Sequence, residues 1–142
     1  MPYPSSNLRS YAKRVVSSAA RTSSSNSGAL KLPKGKSYAL SLNCSAASGT
    51  SPTLDVFVNA SFDGGTTFIR QEHFAQLTAA SLRNLVFGAS GELPAASEAA
   101  VATGATARAV QFPLTRDYQI EWVIGGTNPS FTFSVDLYVE PF

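Results

Sequence analysis

Histidine, cysteine and tryptophan are almost missing from this chain of 142 residues, which holds one of each. With His73 as the sole histidine, a metal site of several imidazoles is excluded, and a Ser–His pair would lack its supporting groups. Cys44 alone excludes an intramolecular disulfide framework. Charged residues make up only 14% of the chain, well under the usual quarter. No apolar run nears the roughly 18 residues that a membrane-crossing helix needs. P-loop, dinucleotide and Cys-x-x-Cys motifs are all absent. The sequence therefore implies no cofactor, no metal, no membrane span and no enzyme. Asp55, Glu72, Glu121 and Asp136 mostly fall in the polar phase of alternating segments, where a solvated face is the expectation. His73 is expected on an exposed or half-buried strand, and Cys44 as a small buried hydrophobe.

What is present is divided unevenly. Residues 1–54 carry Arg9, Lys13, Arg14, Arg21, Lys31, Lys34 and Lys36 and no acid, whereas residues 55–142 carry nine acids against four arginines. A basic beginning and an acidic remainder suit contact with an acidic protein surface, a neighbouring copy or another chain. Nucleic acid ranks second, because the basic stretch has no interleaved aromatics for base stacking.

Residues 1–28 read as a basic, Ser-rich arm. Leu8, Tyr11, Ala12, Val15, Val16 and Ala19 follow the spacing of one helical face, with Ser6 or Asn7 as cap. The following TSSSNSG reads as a flexible connector. Composition alone also suits a transit peptide or a disordered tail. The preferred reading is an extended or helical arm that docks on a partner. Leu8, Tyr11, Val15 and Val16 would supply apolar contact, and Arg9, Lys13, Arg14 and Arg21 orientation.

From residue 29 to 142 the period changes to two. SYALSLNCS aligns Tyr38, Leu40, Leu42 and Cys44, while TLDVFVNASF aligns Leu54, Val56, Val58, Ala60 and Phe62. DYQIEWVI and SFTFSVDLYVE behave likewise, and weaker candidates lie at 29–32, 67–75, 82–87 and 107–112. Alternation of this kind marks antiparallel strands with one buried face. About eight strands with Gly, Pro, Asn and Ser between them predict an antiparallel β-sandwich, immunoglobulin-like or jelly-roll, with a closed barrel as the second choice. IGGTNPSF reads as a connection between two strands. Residues 88–104 form a long, small-residue loop that is either functional or flexible.

The stretch SFDGGTTF fits the Asp-box pattern of sugar-handling propellers, yet it occurs once and the chain is too short for a propeller. Asp63, Gly64 and Gly65 make a hairpin turn on their own chemistry. Glycine tolerates positive φ, and the Asp63 carboxylate can accept N–H groups inside the turn. Phe62 and Phe68 are expected to bury beneath it. A glycan-binding module would need an exposed aromatic platform, and only Tyr11, Phe57 and Tyr138 fall off the buried phase, on separate segments.

The runs LDVFVNASFDGGTTFIRQEHFAQLTAAS and FPLTRDYQIEWVIGGTNPSFTFSVDLYV resemble a group of small β-sandwich structural proteins of tailed bacteriophages. Leu54–Ser81 and Phe112–Val139 carry the likeness, with Phe68 in place of a frequent tryptophan and Glu121 where a basic residue is common. The resemblance implies a virion component assembled in the cytoplasm of an infected bacterium. Together with the charge pattern it suggests a capsid cement or decoration protein whose partners are the major capsid protein and copies of itself. A tail or neck protein is the alternative, and a glycan-binding surface module the third reading.

Overall fold

The computed structural model of this chain describes residues 11–35, 37–88 and 116–140. Leu8, Arg9, nearly all of the 88–104 segment and the candidate strand at 107–112 lie outside the described residues. Every regular element described is a strand: β1 (Tyr11–Arg21), β2 (Ser25–Asn26), β3 (Leu30–Lys31), β4 (Ser37–Ala60), β5 (Ile69–His73), β6 (Ser81–Gly88) and β7 (Asp117–Glu140). They form one seven-stranded sheet, and all of its pairings are antiparallel. The all-β, antiparallel expectation is borne out.

The four strongest predicted strands are two. β4 and β7 each run for 24 residues and stay paired from Ser37↔Glu140 to Ala60↔Tyr118. Along one half of this ribbon β1 lines β7 and β6 lines β4; along the other, β2 and β3 line β7 and β5 lines β4. IGGTNPSF is therefore a paired stretch inside β7, not a free connection.

A clasp explains how pairing survives there. Gly49-Thr50-Ser51-Pro52 in β4 faces Gly126-Thr127-Asn128-Pro129 in β7, centred on the Thr50↔Thr127 pair. Gly49, Ser51, Gly126 and Asn128 all have positive φ, at 114°, 49°, 109° and 48°. A Cβ on Gly49 would stand 2.8 Å from the Asn128 carbonyl oxygen, and one on Gly126 would stand 2.7 Å from that of Ser51. Each strand's glycine thus makes room for the other strand's kink, in a locally two-fold arrangement.

At the clasp the ribbon doubles back. Trp122 and Phe133 both belong to β7, and a straight strand would hold them roughly 36 Å apart. Their ring centroids are 5.6 Å apart, edge to face. Leu40, Leu42 and Cys44 from one half consequently share a single buried cluster with Leu54, Val56 and Val58 from the other. These are the positions that the period-two pattern assigns to the core.

The helical part of the arm is corrected. Tyr11–Arg21 is an edge strand, paired with β7 from Tyr11↔Val139 to Arg21↔Phe131 with two register shifts. Of the proposed helical stripe, Val16 is buried and Val15 half-buried, whereas Ala12 and Ala19 are exposed. A lone helix of this length is marginal in water, while the open edge of β7 offers a row of N–H and C=O groups that need partners. Val15 and Val16 are β-branched and fit a strand better than a helix.

The Ser-rich connector is likewise part of the sheet. Ser25 and Asn26 pair with Trp122 and Glu121. The Ser27 N–H donates to the Ile120 carbonyl at 2.8 Å. The Ser27 and Ser24 hydroxyl oxygens accept the Ile120 and Ile124 N–H groups, at 3.0 and 2.9 Å. Serine hydroxyls here replace the carbonyls of a regular ladder, so the change of sequence pattern at residue 28 marks no break in the sheet.

Candidate interaction surfaces

The predicted arm residues meet different fates. Val16 is 4% exposed and belongs to the chain's own core. Arg14 forks onto Asp136, with Nε–Oδ1 at 2.9 Å and Nη2–Oδ2 at 3.4 Å. That hydrogen bond and the carboxylate charge raise the Arg14 pKa, although an exposed pair of this kind adds little stability. Arg21 works inside the molecule. Its guanidinium lies 4.9 Å from the Trp122 ring centroid and 4.5 Å from that of Phe133, and it donates to the carbonyls of Phe133 and Ser17 at 2.8 and 2.7 Å. Desolvation there lowers its pKa. Arg21 therefore latches the end of β1 over the place where β7 doubles back. Lys13 is exposed.

The turn after β4 has the chemistry expected of it. Asp63 Oδ1 accepts from the Ser61 hydroxyl at 2.8 Å and from the Thr66 and Thr67 N–H groups at 3.1 and 2.8 Å. The Ser61 hydroxyl oxygen accepts the Gly65 N–H at 2.8 Å. These donors hold the Asp63 pKa down at about 2. Gly64 and Gly65 both have positive φ, 79° and 98°. The expected burial of Phe62 is wrong: it is 66% exposed, and Phe68 is half-buried. The turn's internal hydrogen bonds hold its shape without an aromatic floor, which leaves Phe62 exposed; Ile69, at the start of β5, is 50% exposed as well.

The expected solvated face is the larger surprise. On the second face of β4, Asp55 is 2% exposed, Phe57 0% and Asn59 4%. The cause is a bulge in β5. Phe57 pairs with His73 and Val58 with Glu72, but Asn59 pairs with Arg70, leaving Gln71 as the extra residue. The bulge puts Arg70 and His73 on the same face, and both lie against Phe57. The Arg70 guanidinium sits 3.9 Å from its ring centroid, and the His73 ring 4.7 Å away at 58°. Arg70 also donates to both carboxylate oxygens of Glu121, at 2.8 and 3.1 Å, which raises its own pKa and lowers that of Glu121. Asn59 donates to Gln119 and Glu121 at 2.9 and 3.2 Å.

Next to this network, His73 Nε2 lies 3.3 Å from Asp55 Oδ1, and Gln76 donates to Asp55 Oδ2 at 2.9 Å. The His–carboxylate pair is sealed, with the histidine 0% exposed, and serves to hold β5 on β4. The same bulge sends Glu72 to the opposite side, into the core beside Val58. It is fully buried, and neither carboxylate oxygen has a hydrogen-bond partner. Cys44 is buried as expected, and desolvation raises its pKa. Among the described residues no group of three or more His, Cys, Asp or Glu could hold a metal ion.

The class these observations define is an antiparallel all-β protein with a doubled central ribbon and a sealed His–Asp pair, flanked by a half-exposed polar network, under one edge strand. No family model, curated protein or solved structure matches the chain.

Proposed function

We propose that the protein is a virion structural protein of a tailed bacteriophage, most simply a capsid cement, and that its doubled ribbon forms a two-layer β-sandwich. The observation that carries the reading is the likeness of Leu54–Ser81 and Phe112–Val139 to phage structural proteins. The chemistry of the described residues supports it. His73, Asp55 and Glu72 are withdrawn from solvent, while the strand edges, the Phe62 tip and Lys13 are presented to it. In this role the body sits on the outside of the shell and its exposed cations face acidic capsid surface, adding buried area and charge pairs at subunit junctions. A standard stable interface buries about 1,200–2,000 Å² in total.

The test is the copy number and position of the chain in purified particles, by quantitative gel analysis and imaging. Several hundred copies on an icosahedral shell is the expected result, as a rough symmetry estimate. A small multiple of six at the portal or tail would move the function to the neck or tail. Absence from particles would end the virion reading.

A further inference from the structure

At the end of the ribbon away from the clasp, the link between β3 and β4 borders a cavity of about 280 Å³ lined by Leu32, Pro33, Lys34, Tyr38 and Arg116. Its walls are fixed. The Tyr38 hydroxyl reaches the Pro33 and Gly35 carbonyls at 3.2 and 3.3 Å, and the Leu32 N–H donates to the Arg116 carbonyl at 2.8 Å. Gly35 is closed against β7, where an added Cβ would stand 2.2 Å from Val139 Cγ1. Apart from the two cations, Lys34 and Arg116, the lining is aliphatic and aromatic.

Those cations are unmatched. Lys34 and Arg116 are exposed, and neither makes an ion pair or side-chain hydrogen bond among the described residues. None of the described carboxylates pairs with them. Asp117 pairs with Lys31, Asp136 with Arg14 and Glu121 with Arg70. Glu140 accepts from Ser37, Asp63 is held in its turn, and Asp55 and Glu72 are buried. Two described carboxylates do stand at this end, Asp117 held by Lys31 and Glu140 accepting from Ser37, and neither pairs with Lys34 or Arg116 among the described residues.

We infer that the cavity receives an acidic segment of a partner protein, with a carboxylate between Lys34 and Arg116 and an adjoining apolar side chain on Leu32, Pro33 and Tyr38. The volume suits one or two side chains. A nucleic acid fits less well, because Tyr38 is half-buried with its hydroxyl tied down and is the single aromatic among the described residues that line the cavity. The inference goes beyond the virion reading and does not depend on it.

The probe is the blocked tetrapeptide acetyl-Ala-Glu-Leu-Ala-amide, titrated into the full chain and followed by amide NMR shifts. Saturable shifts centred on Leu32, Tyr38 and Arg116 are expected. Binding should weaken about tenfold in the Lys34→Gln, Arg116→Gln double variant, and similarly when glutamine replaces glutamate in the peptide. Both substituted residues are exposed, and the dispersion of the variant's own spectrum checks that it is folded. The inference is overturned by the absence of saturable shifts at these residues, or by equal binding of the glutamine peptide. Tighter binding of a short oligothymidylate at the same residues would overturn it in favour of a nucleic-acid partner.

Discussion

A carboxyl group that has no hydrogen-bond partner inside an apolar core keeps its proton, and burial pushes the pKa of Glu72 up from the ordinary 4.5 to about 8. Because the folded form holds this proton more tightly than the unfolded chain, the group's contribution is greatest below about pH 4.5. It declines as pH rises and is lost once pH passes about 8. The full swing is roughly 4 to 5 kcal/mol. Urea unfolding of the native chain and of Glu72→Met at pH 5, 7 and 9 should show the gap between them widening with pH in favour of the variant. A constant gap would mean that Glu72 does not titrate in the core. Nothing in IRQEH announces this placement. Simple alternation sets Arg70 and Glu72 on one face and His73 on the other, and the bulge at Gln71 reverses that. A bulge is a backbone event decided by the partner strand, so the positions of Arg70, Glu72 and His73 were not legible. Cys44 and the Asp63 turn were, because each depends only on residues close by in sequence.

The clasp shows the same division between local and distant causes. The repeat G-T-x-P at 49–52 and 126–129 is visible in the chain. That the two copies face one another depends on pairing across most of the sequence, so IGGTNPSF looked like a loop. Three substitutions separate the contributions. Gly64→Ala meets no atom within 4 Å and should cost only the strain of its φ, about 1 kcal/mol. Gly49→Ala and Gly126→Ala add a collision with the opposite backbone to the same strain, and should cost about 3 kcal/mol. Equal midpoints for all three in thermal unfolding would remove the close approach as the reason for the repeat. β1 was misread for a related reason. Its apolar residues fit a helical face on paper, but the register shifts at Arg14/Val16 and Val16/Ala19 let a strand bury Val16 and half-bury Val15 while Ala12 and Ala19 stay exposed.

Across the whole molecule, the alternating pattern was enough to give the antiparallel all-β class and most of the core, and the shared strands give it unity. Because β4 and β7 each pass through both halves of the ribbon, neither half has a central pair of its own. Unfolding should therefore be a single transition. Trp122, whose ring meets Phe133 from the other half, makes its fluorescence a probe of the junction, to be compared with the far-ultraviolet dichroism of the strands. Coincident curves are expected, and a fluorescence change that precedes loss of strand signal would show the halves separating first.

The same arrangement governs the order in which the chain is made. β1, β2, β3 and β4 all pair with β7, and β7 is the last of the described strands to be synthesised. At ordinary translation rates, roughly 4 to 16 seconds separate completion of β4 from completion of its partner. Through that interval β5 and β6 are the described strands there to cover β4, and the strands before it wait for β7. Conditions that slow synthesis between Ala60 and Glu140 would lengthen the exposure of those edges on the nascent chain, which makes aggregation during production a matter of timing as much as of final stability.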